Sequence, residues 1–265
     1  MKRFAVKKFF SLAVAACFLA FTSLAWAAVV EMPDDYVEVT GIGEPDQSYS
    51  AGVRAAELVA FRMAAEAIDE FQLDSNSRVS EGRTQSDVIN ARLSTVLRRA
   101  KVVNEGKRAD GYYFATVRVP MFGPRSVASA VFVPNEKTEP FPKPKFPQPV
   151  SAGSGGYTGL IVDCSERTLE KAMSPVIKDD AGQPIYGYKN LEYDKVVAQG
   201  MVAYSDSLTE NVSRAGANPL VVKAVKVDGF DSLCDPVVSA ADADRILSAN
   251  AESHFLEKCA VVLVR

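Results

Sequence analysis

The sequence predicts an α+β protein made of two small α+β domains joined by a proline-rich linker. Three observations carry this. Pro134, Pro140, Pro142, Pro144, Pro147 and Pro149 fall in one run, residues 134–156. Their fixed φ and missing N–H groups forbid a helix or an inner strand there. The flanks on both sides, residues 34–133 and 157–265, mix strand-like alternation with helical spacing. A chain of 265 residues with 48% hydrophobic and 24% charged content is long enough for two cores. Pro-x-Pro spacing favours stiff polyproline II, and SAGSGG at residues 151–156 adds a flexible end. The expectation is a rigid spacer that holds two folded domains apart.

Residues 1–27 read as a secretory signal peptide. Lys2, Arg3, Lys7 and Lys8 precede an apolar run, which ends in Ala25-Trp26-Ala27, an A-x-A cleavage signal. An uncleaved membrane anchor is the alternative. Val14-Ala15-Ala16-Cys17 also has the form of a bacterial lipobox, in which Cys17 would carry lipid and anchor an outer-membrane lipoprotein. The expected location is periplasmic or secreted after cleavage. Loss of the leader leaves 26 basic against 33 acidic residues, a net charge of −7. That balance disfavours binding driven by phosphate neutralisation, so nucleic acid is not an expected partner.

In the first domain, residues 36–40 alternate as a half-buried strand, and Gly41-Ile42-Gly43-Glu44-Pro45 is expected to break it. Ser50 is a plausible N-cap for AGVRAAELVAFRMAAEAIDEF. Its expected inner face is Ala51, Ala55, Leu58, Val59, Met63, Ala65, Ile68 and Phe71. Residues 72–80 are weakly strand-like. A second helix is expected from residues 84–87 to about Ala100, with Val88, Leu93, Val96 and Leu97 inward. Arg98, Arg99 and Lys101 suit its C-terminal dipole. Val102-Val103 and residues 113–119 read as two strands around the turn Ala109-Asp110-Gly111. A short helix at residues 127–132 closes the unit.

In the second domain, residues 157–164 read as a central strand. Residues 174–178 and 184–187 flank Asp179-Asp180-Ala181-Gly182 as a hairpin. A mixed segment follows at 191–200 and a strand edge at 201–204. Asp206 is placed as the cap of a helix over residues 207–214. Residues 220–227 form a clear strand. Ser239 and Asp242 make a capping-box-like start to a helix ending near Asn250, and residues 259–264 form the last strand.

No stretch carries a catalytic motif. Gly41-x-Gly43 and the glycines of 153–159 complete neither a dinucleotide fingerprint nor a phosphate loop, and read as turns. Asp179 and Asp180 lack calcium-loop spacing. Asp228, Asp231 and Asp235 read as a solvated acidic loop or a weak cation site. Three cysteines remain after the leader, Cys164, Cys234 and Cys259, with no C-x-x-C, and His254 is the only histidine, so neither zinc nor another cofactor is expected. His254 reads as an exposed structural residue, or as a general base without its serine elbow. A Cys164–Cys259 disulfide is open if the strands that they end and begin are antiparallel neighbours. Tyr186, Tyr188 and Tyr193 cluster in one segment and suit either a protein-binding surface or packing on the local core.

The succession GIGEPDQSYS, an Ala-rich helix, IDEFQLDSNSRV, RLSTVLRRAKVV and DGYYFATVRVPM resembles the LPP-twenty lipoprotein family over about residues 34–133. Such domains also occur in flagellar assembly proteins such as FlgP and the N-terminal part of FlgT. The resemblance implies a small α+β domain with structural or binding work in a bacterial cell envelope, and brings no catalytic residue. GLIVDCSERTLEKAMSPVIKDDAGQPIYG is similar to C-terminal modules that follow such domains in uncharacterised exported bacterial proteins. The expected function is thus a non-enzymatic exported cell-envelope protein with a structural or binding role in outer-membrane or flagellar assembly. Its expected partner is an envelope or flagellar protein, with membrane association through a lipid anchor. A periplasmic small-ligand binding protein is the alternative, and a hydrolase using His254 a third.

Overall fold

The computed structural model describes residues 32–147 and 156–265. The leader, its cleavage site, Cys17 and residues 148–155 of the linker lie outside the described residues. The class is α+β: two α+β domains, each with its own sheet, joined by the proline-rich segment.

The first domain runs β1 (Tyr36–Gly43), α1 (Tyr49–Asp69), β2 (Gln72–Asp74), β3 (Ser77–Arg78), α2 (Val79–Gln85), α3 (Asp87–Arg98), β4 (Lys101–Lys107), β5 (Tyr113–Pro120) and α4 (Val127–Val131). β1, β5 and β4 form an antiparallel sheet in that spatial order, and β2 with β3 forms a separate ribbon. α1 lies on the sheet, capped by Ser48, whose Oγ accepts from Ala51 N at 3.4 Å. Ser50 is already inside the helix. β1 does not break at Gly41, because Gly41 and Gly43 face α1. A Cβ on Gly41 would sit 2.1 Å from the Ala56 carbonyl oxygen, and one on Gly43 2.3 Å from that of Gly52. Strand and helix backbones therefore touch.

That contact corrects the expected inner face of α1. The buried residues are Gly52, Val53, Ala56, Ala60, Ala64 and Ile68. Leu58 is 57% exposed and Met63 39%. A bulky side chain opposite the glycines would hold the helix off them, so Gly52, Ala56 and Ala60 turn inward there while Leu58 and Met63 turn outward; farther along, the expected Ile68 and Phe71 are buried.

The second domain runs β6 (Gly159–Asp163), β7 (Ile177–Asp179), β8 (Pro184–Tyr186), α5 (Tyr193–Gln199), β9 (Ala203–Ser205), β10 (Pro219–Asp228), β11 (Asp235–Val238), α6 (Ala240–Ser253) and β12 (Val261–Val264). Seven strands pair in the order β8-β7-β11-β10-β6-β12-β9. β7–β8 and β10–β11 are antiparallel, and the remaining pairs are parallel. α6 starts where its capping signal places it, with Ser239 Oγ accepting from Asp242 N at 3.1 Å. The expected helix over residues 207–214 is absent apart from a 3-10 turn at Ser213–Ala215. Ser205 and Ser207 hydroxyls bond the local backbone instead: Ser205 Oγ reaches the Glu210 carbonyl at 2.6 Å, and Thr209 N donates to Ser207 Oγ at 3.2 Å. Such local bonds compete with helix formation. The acidic loop is also partly structured. Asp235 begins β11, is buried, and takes hydrogen bonds from Lys178 Nζ at 2.8 Å and Val176 N at 2.9 Å.

The proline-rich segment is docked along the second domain and does not hold the domains apart. Polyproline II has no internal hydrogen bonds, so its backbone is free to seek partners. Lys145 N and Phe146 N both donate to the buried Asp244 carboxylate, at 2.6 and 3.0 Å. Lys145 Nζ meets Asp179 at 2.9 Å, and the Phe141 ring stacks on Tyr186 with centroids 6.2 Å apart. The domains themselves pack directly. Met173 N and Ser174 N donate to the carbonyls of Gln72 and Leu73, at 3.0 and 2.7 Å. Gly123 N donates to Val197 O at 2.7 Å. Buried apolar residues of both halves, Phe71 and Met121 with Leu169 and Met173 among them, belong to one continuous cluster.

Candidate binding cleft

Two recesses, of about 450 and 620 Å³, lie side by side on the first domain and share Val96, Arg99 and Arg125. Both volumes fall in the range of ligand-binding clefts. α3 builds the shared wall. Ser86 caps it, accepting from Ile89 N at 3.4 Å, and Leu93 and Val96 anchor it to the core. That rotation puts Ala91, Arg92, Thr95 and Arg99 along the first recess. Arg99 stands at the C-terminal end of α3, where a cation is favoured.

The opposite wall comes from the segment between β5 and α4. Gly123 turns with φ +102°, and Ser126 opens α4 with a reciprocal cap, Ser129 N to Ser126 Oγ at 3.1 Å and Ser126 N to Ser129 Oγ at 3.0 Å. Pro124 and Arg125 are thereby held between two fixed points. α5 of the second domain contributes Tyr193, whose hydroxyl donates to the Ser129 carbonyl at 3.2 Å. The second recess runs over the start of the sheet, with Asp35, Tyr36, Lys101, Val103, Arg118 and Pro120.

Five cations line the two recesses, Arg92, Arg99, Lys101, Arg118 and Arg125, against the single acid Asp35. Arg118 is committed: its Nε donates to Glu38 at 2.7 Å, and its guanidinium lies 4.1 Å over the Tyr36 ring. Arg92 donates a 3.4 Å bond to the Phe132 carbonyl. Arg99, Lys101 and Arg125 have no acidic partner within 4.0 Å among the described residues, and all three are exposed. The chain as a whole is acidic, at net charge −3. The concentration of cations across these two adjoining recesses is therefore a local feature. What it can do chemically is hold anionic groups with arginine forks while apolar stems and rings line the spaces between them.

The residues singled out by sequence fall elsewhere or do other work. Tyr186 is fully buried and donates to the Met201 carbonyl at 2.6 Å, so it is no contact residue. Tyr188 donates to the Val133 carbonyl at 2.7 Å and packs its ring 4.7 Å from Phe132. Burial, with Tyr193 nearby, pushes its hydroxyl up to about 12. Tyr188 and Tyr193 thus join α4 and its following chain to the second domain. Only Tyr193 reaches the cleft, and the three do not form one surface.

Cys164, Cys234 and Cys259 are all free and buried. β6 and β12 are neighbours but parallel, with Leu160 opposite Val261 and Asp163 opposite Val264. Cys164 follows one strand and Cys259 precedes the other, so they lie at opposite ends of the pair. At a strand's rise that is on the order of 15–20 Å. A disulfide needs Cα atoms within about 7 Å. Burial raises all three thiols, Cys164 to about 12, which keeps them protonated.

His254 ends α6 in a left-handed conformation, φ 53°, with Glu257 3.3 Å away, as an exposed cap. Gly41 and Gly43 serve the helix–strand contact and not a phosphate cradle. Among the described residues no group of three potential metal ligands comes together, and Asp228 pairs with Lys226 at 2.9 Å. No helix among the described residues is long and apolar enough to cross a membrane.

Sequence reasoning missed the cleft. Arg99 and Lys101 stand in the sequence as helix-end charges, and no motif marks Arg92, Arg118 or Arg125. Arg92 and Arg99 are seven residues apart, two helical turns, and so share a face of α3. That was the available signal. The opposite wall depends on tertiary packing.

No curated protein matches the chain. Residues 159–265 match the family model of the second domain of Treponema pallidum Tp0624, so the portion from β6 to the last residue is similar to that domain.

Proposed function

We propose that the protein is a non-enzymatic binding component of a bacterial cell envelope, and that it engages its partner through the arginine-lined cleft. The observation that carries this is the grouping of Arg99, Lys101 and Arg125, exposed and without acidic partners among the described residues, around a recess of ligand-binding size. Cations with no acidic partner among the described residues are available to one outside the chain. The envelope setting rests on the leader-like residues 1–27 and on the resemblance of residues 34–133 to LPP-twenty-like domains. That resemblance supports outer-membrane or flagellar assembly as the process served. The second reading, a periplasmic small-ligand binding protein, draws on the same recess volumes. A ligand that raises the melting temperature of the purified protein would favour it.

The test is site-specific photocrosslinking in the native envelope. A photoreactive residue at Thr95, inside the cleft, should trap a defined partner that the same residue at Arg62, on the outer face of α1, does not. Equal capture from both positions, or none from Thr95, removes the cleft from the function.

A further inference from the structure

We infer that the ligand of this cleft is an extended acidic segment of a protein partner; the inference rests on the cleft being the contact surface. The charge balance asks for an anion. Five cations face one acid across the two recesses, and three of those cations are unneutralised among the described residues. Four of the five are arginines, whose planar forks match carboxylates bidentately.

Shape decides between a peptide and an anionic bilayer. Bilayers are met by protruding lysines and arginines beside a membrane-seated element. Here the cations line two recesses of about 450 and 620 Å³ together with the buried Val96, and buried Ala130 joins them in the first. The side chains of a single peptide can fill volumes of that size, whereas a bilayer surface meets only the exposed cations at their rims. The lining also mixes charged with apolar and aromatic residues. Arg92 and Arg99 stand beside Val96 and Tyr193, Arg125 beside Pro124, and Lys101 beside Val103 and Tyr36. An extended segment with carboxylates interspersed among apolar side chains fits such a lining.

The experiment uses the chain from Ala28 onward and a fluorescent peptide of alternating glutamate and alanine, read by anisotropy. Saturable binding that weakens as ionic strength rises is expected. Arg99→Glu with Arg125→Glu should weaken it at least about tenfold. Arg62→Glu with Lys137→Glu, an equal change in net charge on exposed sites away from the cleft, should leave it within about twofold. The glutamine counterpart of the peptide should bind at least about tenfold more weakly. Arg99 and Arg125 are exposed, and Arg99→Gln with Arg125→Gln gives a second variant should the reversed pair lose its circular dichroism.

Equal affinity for the glutamate and glutamine peptides overturns the inference. So does binding untouched by the arginine changes, or retention of the protein on anionic phospholipid vesicles with no peptide binding. Inorganic phosphate that displaces the peptide at equal concentration also counts against it. The two readings fail separately. If Thr95 traps a partner while the peptide does not bind, the acidic ligand is wrong and the cleft stands. If the peptide binds and Thr95 traps nothing in the envelope, the cleft reading fails.

Discussion

Replacing Gly41 by alanine separates two opposed expectations. Gly41 has ordinary strand geometry, with no positive φ. On chain entropy alone, Gly41→Ala should stabilise by about 0.4–1 kcal/mol, because alanine has less freedom to lose. The packing predicts the opposite sign. The new Cβ would lie 2.1 Å from Ala56 O, 2.4 Å from Ala60 N and 3.0 Å from Ala60 Cα. All three are helix backbone atoms, so no side chain can swing aside. α1 and β1 must separate by more than an ångström along a seam that Gly43 and Gly52 continue. Overpacking of this kind costs about 1–3 kcal/mol, and the rigid neighbours put it at the upper end. The assay is urea unfolding followed by circular dichroism, comparing midpoints at constant slope. Gly82→Ala serves as the control. It lies in α2, where a Cβ meets only Leu73 and Ile89 side chains at 3.6 and 3.8 Å, and it should stabilise by about 0.5–1 kcal/mol. A Gly41→Ala midpoint at or above that of the parent protein refutes the seam.

Asp244→Ala should release the proline-rich segment, since it removes the acceptor of two backbone hydrogen bonds at 2.6 and 3.0 Å, a loss of about 2–4 kcal/mol in docking. Faster tryptic cleavage after Lys145 reports it, and an unchanged rate counts against the docked arrangement. Acidification should loosen the neighbouring contact between Lys145 Nζ and Asp179. Burial acts to raise the Asp179 carboxyl, but the hydrogen bonds from Lys145 and from the N–H groups of Gln183 and Ala181 outweigh it and hold the group below its ordinary range. A depressed folded value gives stability that is present above the ordinary carboxyl pKa, about pH 4, and lost as pH falls through the folded one. Cleavage after Lys145 by an acid-active protease should therefore rise at the bottom of that window, and a flat rate from pH 5 to pH 2 would contradict it. The three thiols should all react with a disulfide reagent after denaturation and none quickly before it, because each is buried; rapid labelling of the native protein, or fewer than three thiols after unfolding without reductant, is the contrary result.

What the sequence reveals is what short-range chemistry controls. Ser239 with Asp242 marks the start of α6, and Asp110-Gly111 marks the turn between β4 and β5, because both act within a few residues. The face of α1 is not local. Its sequence is apolar on more than one side, and the choice falls to Gly41 and Gly43 on another element, which admit only Ala56, Ala60 and Gly52. Leu58 and Met63 look like core residues by hydropathy and are excluded by size. Strand direction is equally hidden. Nothing in residues 157–164 and 259–264 says that β6 and β12 run parallel, and the direction alone removes the disulfide. The proline run was legible as extended, while its partner Asp244 lies about a hundred residues away in α6. The cleft needed Arg99 and Arg125 from separate elements, so no spacing rule joins them.

The junction between the domains also bears on how the cleft works. Its first recess is complete only with Tyr193 of the second domain in place. Gly123 N to Val197 O and Tyr193 Oη to Ser129 O, at 2.7 and 3.2 Å, bracket the turn that carries Pro124 and Arg125. Both bonds cross from one domain to the other. Had the domains been spaced apart, the turn would keep its own closure, Ser126 Oγ to Gly123 O at 2.6 Å, but the first recess would lose the Tyr193 side of its wall. The packing that joins the two interiors thus also supplies one wall of the first recess. A ligand that touches Tyr193 as well as Arg99 and Arg125 binds the packed arrangement more tightly than a loosened one, and by linkage stabilises the junction by that difference.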